Sequence, residues 1–172
     1  MQARIEEPVL AWGSRGRTAA MTGTWVFYCD DYRFGALERS PLQLLATRCK
    51  AAAELNISLF DQTPRALVLA ATYRKRLVAR QWQDAGIRVL VDLNVPAAHR
   101  DLCMLGVPAG WSSFSTRGYA RRLDALRSEW EYARSMAGDA LILLVYGGGQ
   151  RVEACCRELA GSVYMPSHWE AK

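Results

Sequence analysis

Short apolar segments alternate with longer amphipathic ones along the chain, with a period of roughly thirty residues. The apolar segments are rich in aromatic and β-branched side chains and end at aspartate or glycine, which is typical of strands. Residues 140–146 are apolar throughout, as expected for a strand that is buried on both faces of a sheet. The pattern predicts six strands, at residues 25–29, 56–60, 87–91, 111–115, 140–146 and 162–165.

Capping signals place helices between these strands. Ser40 and Thr63 each precede a proline, which is the arrangement of an N-cap followed by proline in the first turn. Gly86 and Gly138 follow the last periodic residues of two segments, as C-terminal stop signals do. The pattern predicts helices at residues 41–55, 64–85, 118–137 and 151–159, with a short helical turn at 100–105.

Strands that alternate with helices through short connections predict a single α/β domain with a mostly parallel sheet of about six strands. A complete eight-stranded barrel needs ~250 residues. Two architectures therefore stay open, an open doubly wound sheet and a shortened, barrel-like arrangement. Residues 1–22 are predicted as an N-terminal extension that is partly flexible around the glycine- and arginine-containing residues 13–17. Residues 23–172 are predicted to form the α/β domain.

Arginine dominates the charge of the chain. The 172 residues carry a formal net charge of +5, from 22 Lys and Arg against 17 Asp and Glu. Only three of the cations are lysines. Arginine suits bidentate phosphate contacts, and a basic balance is compatible with a polyanionic partner. A genome that favours arginine codons explains the bias equally well.

Several classes of protein are disfavoured by the sequence. No apolar run approaches the ~18 residues of a membrane span, and the N-terminal segment carries acids where a signal peptide needs a cationic start. The five cysteines include no C-x-x-C pair, which disfavours a zinc site and a disulfide framework. His99 and His168 lie in polar segments, so we expect no histidine-based hydrolase. We expect a cytoplasmic protein with reduced cysteines and no membrane partner.

Aspartates stand where the first three predicted strands end. Asp30, Asp61 and Asp92 are 31 residues apart in both steps. Because ligands bind at the carboxyl ends of parallel strands, adjacent strands would bring these carboxylates together. Converging carboxylates need a shared proton or a cation, and hard oxygen ligands suit Mg²⁺ or Mn²⁺. The prediction is a metal site; the alternative is that the aspartates only form turns and helix caps.

Other polar residues at the same predicted edge are candidates for binding the substrate. The three glycines at residues 147–149 precede a predicted helix and offer backbone N–H groups to a phosphate, although a tight turn explains them equally well. The candidate substrate-binding residues at the strand ends are Asp31, Ser115, Thr116, Arg117, Tyr146 and Gly147.

Two groups of basic side chains are candidate contacts for nucleic acid. Arg74 and Arg76 lie in the second predicted helix with aromatic residues nearby, a combination that can hold a nucleic-acid backbone. A solvated helix face is the alternative. Arg117, Arg121 and Arg122 stand at the start of the next long helix, where positive charge opposes the helix dipole. That placement favours an anionic partner.

Several short motifs occur together in a recognisable order and spacing. They resemble an uncharacterised family of bacterial, phage and mobile-element proteins that carries only a domain-of-unknown-function label. The resemblance covers roughly residues 24–149. The motifs are FYCDDYRF at 27–34, SLFD at 58–61, YR at 73–74, RQWQDAG at 80–86, GVP at 106–108, FSTRG at 114–118 and VYG at 145–147.

The resemblance implies a cytoplasmic protein carried by a phage, a plasmid or an integrated element, and it implies no established activity. Asp92 departs from the family's pattern, which favours Asp30 and Asp61 over Asp92. The residues that match the pattern at predicted strand ends are Asp30, Asp31, Asp61, Ser115, Thr116 and Gly147.

These observations give three hypotheses, of which the third is an enzyme that acts on a small substrate at the same edge of the sheet. In the first, the protein binds or acts on nucleic acid, including metal-assisted phosphoester chemistry in which Asp30 and Asp61 hold the cation. Ser115 and Thr116 would then contact phosphate, while Arg74 and Arg76 would guide the nucleic-acid backbone. In the second, a non-catalytic protein captures a host protein or a small anionic ligand. Salt-sensitive binding of DNA or RNA would favour the first hypothesis.

Overall fold

Seven parallel strands form one sheet in a computed structural model that describes residues 5–13 and 21–167. Each strand pairs with its neighbours in sequence order. The predicted α/β class with a mostly parallel sheet is confirmed, with seven strands among the described residues. The strands are β1 (Val9–Ala11), β2 (Thr24–Val26), β3 (Ala51–Ala53), β4 (Arg88–Asp92), β5 (Ser113–Arg117), β6 (Ile142–Tyr146) and β7 (Ser162–Met165).

Helices connect the strands from β2 onward. The predicted helix 118–137 begins only at Leu123, because the backbone N–H of Gly118 donates to the carbonyl of Tyr146 (2.9 Å) and so continues the pairing of β5 with β6. No helix in the described part of the chain combines the length and apolar character that a membrane span needs. The helices are α1 (Gly35–Arg39), α2 (Arg65–Asp84), α3 (Arg100–Cys103), α4 (Leu123–Ala137) and α5 (Gly149–Glu158), with 3-10 turns at Asp31–Arg33, Pro41–Thr47, Ala97–His99 and Gly138–Ala140.

The sheet curls into a nearly closed barrel, so the barrel-like alternative is the observed one. One cluster of inward-facing side chains joins Val26 and Ala53 to Leu144, and Val9 and Met165 from the two edge strands pack against the same cluster. A flat sheet would keep β1 and β7 apart. A strand order that follows the sequence produces this curvature, because every right-handed crossover then lies on the same face of the sheet.

The outside of the barrel carries the aromatic core. Trp25 and Phe27 point outward around β2 and pack against Trp82 of α2, and the Phe27 and Trp82 rings stack with centroids 5.5 Å apart. All three side chains are completely buried. Burying one large apolar side chain stabilises a fold by ~1.5–3 kcal/mol. This layer therefore fixes α2 against the first half of the barrel.

The strand that follows β2 is β3 at Ala51–Ala53, so the strand predicted at residues 56–60 was wrong. The helix predicted at residues 41–55 was also wrong, since only a 3-10 turn at Pro41–Thr47 forms there. Ala52 packs outward among bulky aromatic side chains, while Ala51 and Ala53 face the barrel interior. Small residues fit this strand because its neighbours fill the space on both faces. Alanine prefers helices in isolation, so the preference was overridden by tertiary packing.

Part of the predicted N-terminal extension belongs to the sheet. Val9–Ala11 forms β1 and pairs in parallel with β2, with Val9 opposite Thr24. Residues 14–17 of the segment predicted to be flexible lie outside the described residues, as does His168.

Candidate functional site

A groove of about 1820 Å³ lies over the carboxyl ends of the strands. The connections that follow β1 to β7 all contribute to its walls. This is the edge at which the sequence predicted a site.

A buried hydrogen-bond network centred on Asp92 supports the floor of the groove. The Asp92 carboxylate accepts a hydrogen bond from Asn56 Nδ2 (2.9 Å) and one from the backbone N–H of Asn94 (3.1 Å). The Tyr28 hydroxyl lies 3.3 Å from Asp92 Oδ1 and 3.0 Å from Ser115 Oγ. Burial raises the pKa of Asp92, and it raises the pKa of Tyr28 with help from the Asp92 charge. The network ties the ends of β2, β3, β4 and β5 together.

Two cations from α2 neutralise the buried acids of this network. Lys75 Nζ lies 3.8 Å from Asp92 Oδ2 and 3.9 Å from Glu54 Oε2, and all three side chains are at most 3% exposed. Arg76 forms an ion pair with Glu54. The buried groups thus comprise two cations and two carboxylates. This pairing is what keeps such charges tolerable in the interior, since an unpaired buried charge costs several kcal/mol.

A third buried acid, Glu129 of α4, lines the groove. Its carboxylate accepts a hydrogen bond of 2.6 Å from Thr116 Oγ1 of β5. Burial raises the pKa of Glu129 to about 7; the Thr116 hydrogen bond and the charges of Arg100 and Arg122 oppose this shift. Glu129 therefore changes charge near neutral pH.

The end of β5 and its connection to α4 carry a concentration of positive charge that we call the arginine corner, formed by Arg117, Tyr119, Arg121 and Arg122. All four residues line the groove. The guanidinium carbons of Arg117 and Arg122 lie 5.2 and 5.6 Å from the centroid of the Tyr119 ring. Within the described residues, none of the three arginines forms an ion pair with a carboxylate. The corner is an exposed cationic surface without ion pairs among the described residues, and two of its three arginines lie against one aromatic ring.

Glycines set the position of the arginine corner. A Cβ atom on Gly118 would lie 2.1 Å from the carbonyl oxygen of Gly147, and one on Gly148 would lie 2.8 Å from the backbone of Gly118. The β5–α4 and β6–α5 connections therefore pack backbone against backbone. Gly147 and Gly148 also have φ values of 73° and 97°, which side chains rarely permit. Close loop packing accounts for these glycines without a bound phosphate.

The structure does not bring the three predicted metal-binding aspartates together. Asp92 is buried, Asp30 pairs with Arg33 (3.4 Å), and Asp61 is exposed in the segment before α2. In the register of β3 with β4, Ala53 pairs with Leu90, so Asn56 rather than Asp61 lies near the level of Asp92. Across the described residues, no three His, Cys, Asp or Glu side chains are grouped closely enough to hold a metal ion.

The predicted substrate-binding residues divide between the groove and its surroundings. Arg117, Tyr146 and Gly147 line the groove. Ser115 and Thr116 are buried. The Ser115 hydroxyl accepts a hydrogen bond from Tyr28, and the Thr116 hydroxyl donates one to Glu129.

The remaining predicted substrate-binding residues form contacts within the protein. The Asp31 carboxylate accepts hydrogen bonds from the backbone N–H and the hydroxyl of Ser58 at 3.0 and 2.8 Å and so orders the segment after β3. Arg74 pairs with Glu38, and Arg76 donates to the carbonyls of Cys103 and Leu105, both outside the groove.

Sequence reasoning missed three residues that shape the site. Tyr28 was assigned to a strand, and Tyr119 and Glu129 were not singled out. Glu129 does carry a signal, because it occurs in the buried stripe of α4 together with Leu126 and Ala133, at spacings of three and four. An acidic side chain on the buried face of a helix needs a hydrogen-bond partner, because burying it without one is unfavourable. Which strand supplies that partner depends on register and could not be predicted.

The one cysteine that lines the groove is not set up as a nucleophile. Cys29 is partly buried, and burial raises its pKa to about 11, against a lowering effect of Arg33. The thiolate is the reactive form of cysteine. At neutral pH this side chain is therefore a neutral thiol.

Comparison with known proteins places the chain in a family. The profile described as Domain of unknown function (DUF4417) matches residues 2–148. "Gene 1 protein" of Mycobacterium phage D29 is 34% identical over 99 residues, which are 56% of this chain and 37% of the phage protein. "Gene 1 protein" of Mycobacterium phage L5 is 33% identical over 99 residues, 56% of this chain and 43% of the phage protein. The match thus spans less than half of each relative's length, and no solved structure matches the chain.

These matches confirm the resemblance predicted from the motifs, since the segment matched by the family profile contains all of them and the relatives are phage proteins. The chain belongs to the DUF4417 family.

Proposed function

We propose that this protein binds nucleic acid in the groove, with the arginine corner holding phosphate. The observation that carries the proposal is the uncompensated positive charge of Arg117, Arg121 and Arg122 at the ligand-binding edge of the barrel. Like charges held close together repel one another, and an anion relieves that repulsion. Arginine is also the residue best suited to phosphate oxygens. We place this activity in the cytoplasm.

Exposed aromatic side chains in the groove support a nucleic acid over a small anion. Tyr32 and Phe60 line the groove and are 77% and 68% exposed. Exposed aromatic rings can stack on bases, at ~1–3 kcal/mol per base. The groove's volume of about 1820 Å³ also exceeds the ~300–1,000 Å³ of ordinary small-molecule pockets. Both features suit a strand of several nucleotides.

The test is the binding of a short, fluorescein-labelled DNA strand, followed by anisotropy over a series of salt concentrations. We expect salt-sensitive binding that weakens roughly tenfold or more at low salt in the double variant Arg117→Gln/Arg122→Gln. The slope of log affinity against log salt should flatten by ~0.7 for each phosphate contact that is lost.

Arg127→Gln is the matched control for this experiment. Arg127 is another exposed arginine of α4, but it pairs with Glu158 at 2.8 Å and does not line the groove. Its substitution should leave binding of the DNA strand unchanged. Equal weakening in the control and in the double variant would show that only net charge matters and would refute the proposed site.

Metal-assisted cleavage of a bound strand stays a prediction. Asp30 and Asp61 both line the groove, and they are the residues that would hold Mg²⁺ or Mn²⁺. Thermal melts of the wild type and of Asp61→Ala in either cation, compared with EDTA, measure whether a cation binds there. Ligand at ~100 times its Kd adds ~2.7 kcal/mol.

Capture of a host protein or of a small anionic ligand stays the alternative. Leu69, Tyr73 and Leu77 are 48%, 66% and 47% exposed and lie on one side of α2 at a spacing of four residues. Exposed apolar side chains in a row suit contact with a protein. None of the three lines the groove. Tyr73→Ala should therefore leave DNA binding unchanged if the groove is the nucleic-acid site.

A further inference from the structure

Resting on the proposed function, we infer that the arginine corner binds the terminal phosphate of a nucleic-acid strand, while the rest of the groove holds the sugars and bases. A terminal phosphate is a monoester that carries close to two negative charges at neutral pH, whereas each internal phosphate carries one. The arrangement of charge in the groove distinguishes between these two ligands.

Among the described residues that line the groove, unpaired positive charge is confined to one place. Arg117 is the last residue of β5, and Arg121 and Arg122 belong to the connection between β5 and α4. The other arginine among these lining residues, Arg33, pairs with Asp30. A protein that follows a strand by its internal phosphates distributes cations along the whole track. This groove instead offers a single cationic corner.

The arginine corner is built to present several charges to a single group. The guanidinium carbons of Arg117 and Arg122 both lie within 6 Å of the Tyr119 ring centroid, as their distances of 5.2 and 5.6 Å show. One ring is thus contacted by two guanidinium groups, and neither forms an ion pair with a carboxylate among the described residues. A dianion gains from both charges at once, and charge-assisted hydrogen bonds to phosphate are among the strongest in proteins.

Away from the arginine corner and Glu129, the charged side chains among the described lining residues are Asp30, Arg33 and Asp61, and the rest of the lining is uncharged and suits sugars and bases. Its wall after β3 and β4 includes Asn56, Ser58 and Asn94, which are polar and neutral. The exposed rings of Tyr32 and Phe60 lie on the segments after β2 and β3, whereas the arginine corner follows β5. A strand whose phosphorylated end sits at the corner would therefore place its bases next to these rings.

The experiment compares three internally labelled DNA strands of one sequence, which carry a 5′-phosphate, a 3′-phosphate or hydroxyls at both ends. We expect one phosphorylated strand to bind at least tenfold more tightly than the hydroxyl strand. That preference should fall below twofold in Arg117→Gln/Arg122→Gln and persist in Arg127→Gln. Circular dichroism of each variant checks that the fold is intact.

The outcomes separate this inference from the proposed function. If all three strands bind equally and weaken together in the double variant, the groove binds nucleic acid but the terminal-phosphate inference is wrong. If a phosphate preference appears but survives in the double variant, the inference is wrong as well, because another site reads the phosphate. If no strand binds in a salt-dependent way, the proposed function itself fails.

Discussion

At the scale of single residues, burial decides which acids have shifted pKa values. Glu129 is buried against a threonine hydroxyl with no ion pair in the described part of the chain, and its pKa rises to about 7. Asp92 is buried too, but Lys75 and its hydrogen bonds oppose the rise in its pKa. Asp31, by contrast, serves to order a loop. The sequence placed Asp92 at this edge of the sheet, but it did not single out Glu129, and it could not predict the burial of either acid.

The raised pKa of Glu129 makes stability depend on pH in a defined direction. Between the ordinary glutamate pKa of 4.5 and the folded value of about 7, the folded protein holds a proton that the unfolded chain has released. The free energy of unfolding therefore falls as the pH rises through this range and levels off above it. Glu129→Gln removes the effect. We expect the free energy of unfolding of the variant, relative to that of the wild type, to be up to about 3 kcal/mol greater above pH 7 than below pH 4.5.

Urea unfolding at both ends of the pH range measures this difference. Glu131→Gln is the control, because Glu131 is an exposed residue of the same helix. The change that Glu131→Gln causes in the free energy of unfolding should be the same at both pH values. A Glu129→Gln variant that shows no pH-dependent gain would mean that the pKa of Glu129 is the same in the folded protein as in the unfolded chain.

At the scale of elements, the connections at the strand ends determine what the groove presents. The β5–α4 connection carries the arginine corner, and it is held in place by backbone packing against the glycines of the β6–α5 connection. The glycines at 147–149 were predicted either to bind phosphate or to form a tight turn, and their packing supports the tight turn. Strand β3, by contrast, could not be predicted from its own residues. Its three alanines do not favour a strand by themselves; small side chains are needed there because the neighbouring elements fill the space on both faces of the strand.

Because the two connections pack closely, we expect a single added methyl group at Gly118 to destabilise the protein. Gly118→Ala would place its Cβ atom 2.1 Å from the carbonyl oxygen of Gly147, so one of the two backbones must move. We expect a loss of stability of ~1–3 kcal/mol, the usual cost of overpacking, and weaker DNA binding because the arginine corner shifts. Thermal melts and the anisotropy assay measure the two effects.

Gly35→Ala is the matched control for this substitution. A Cβ atom on Gly35 meets nothing within 4 Å, and Gly35 begins α1. Replacing it should be neutral or slightly stabilising, since alanine favours helices. If Gly118→Ala were as stable as Gly35→Ala and bound DNA normally, close packing of the two connections would not be needed to position the arginine corner.

At the scale of the whole molecule, the alternation of strands and helices was enough to predict a parallel α/β fold, and nothing more specific. Whether the sheet closes depends on contacts between β1 and β7, which are far apart in sequence and short. The location of the site at the carboxyl ends of the strands followed from the fold class alone. The predicted metal triad does not assemble, because Asp61 lies well beyond the end of the displaced β3. The basic residues of α2 lie outside the groove.

The central claim is that nucleic acid binds at the arginine corner of this barrel. The most direct measurement is an NMR titration of the ¹⁵N-labelled protein with a short DNA strand, followed by backbone amide shifts. We predict the largest shifts at residues 117–122 and at Gly147 and Gly148, with those of α2 unchanged. Shifts concentrated on α2, with none in the β5–α4 connection, would contradict the claim.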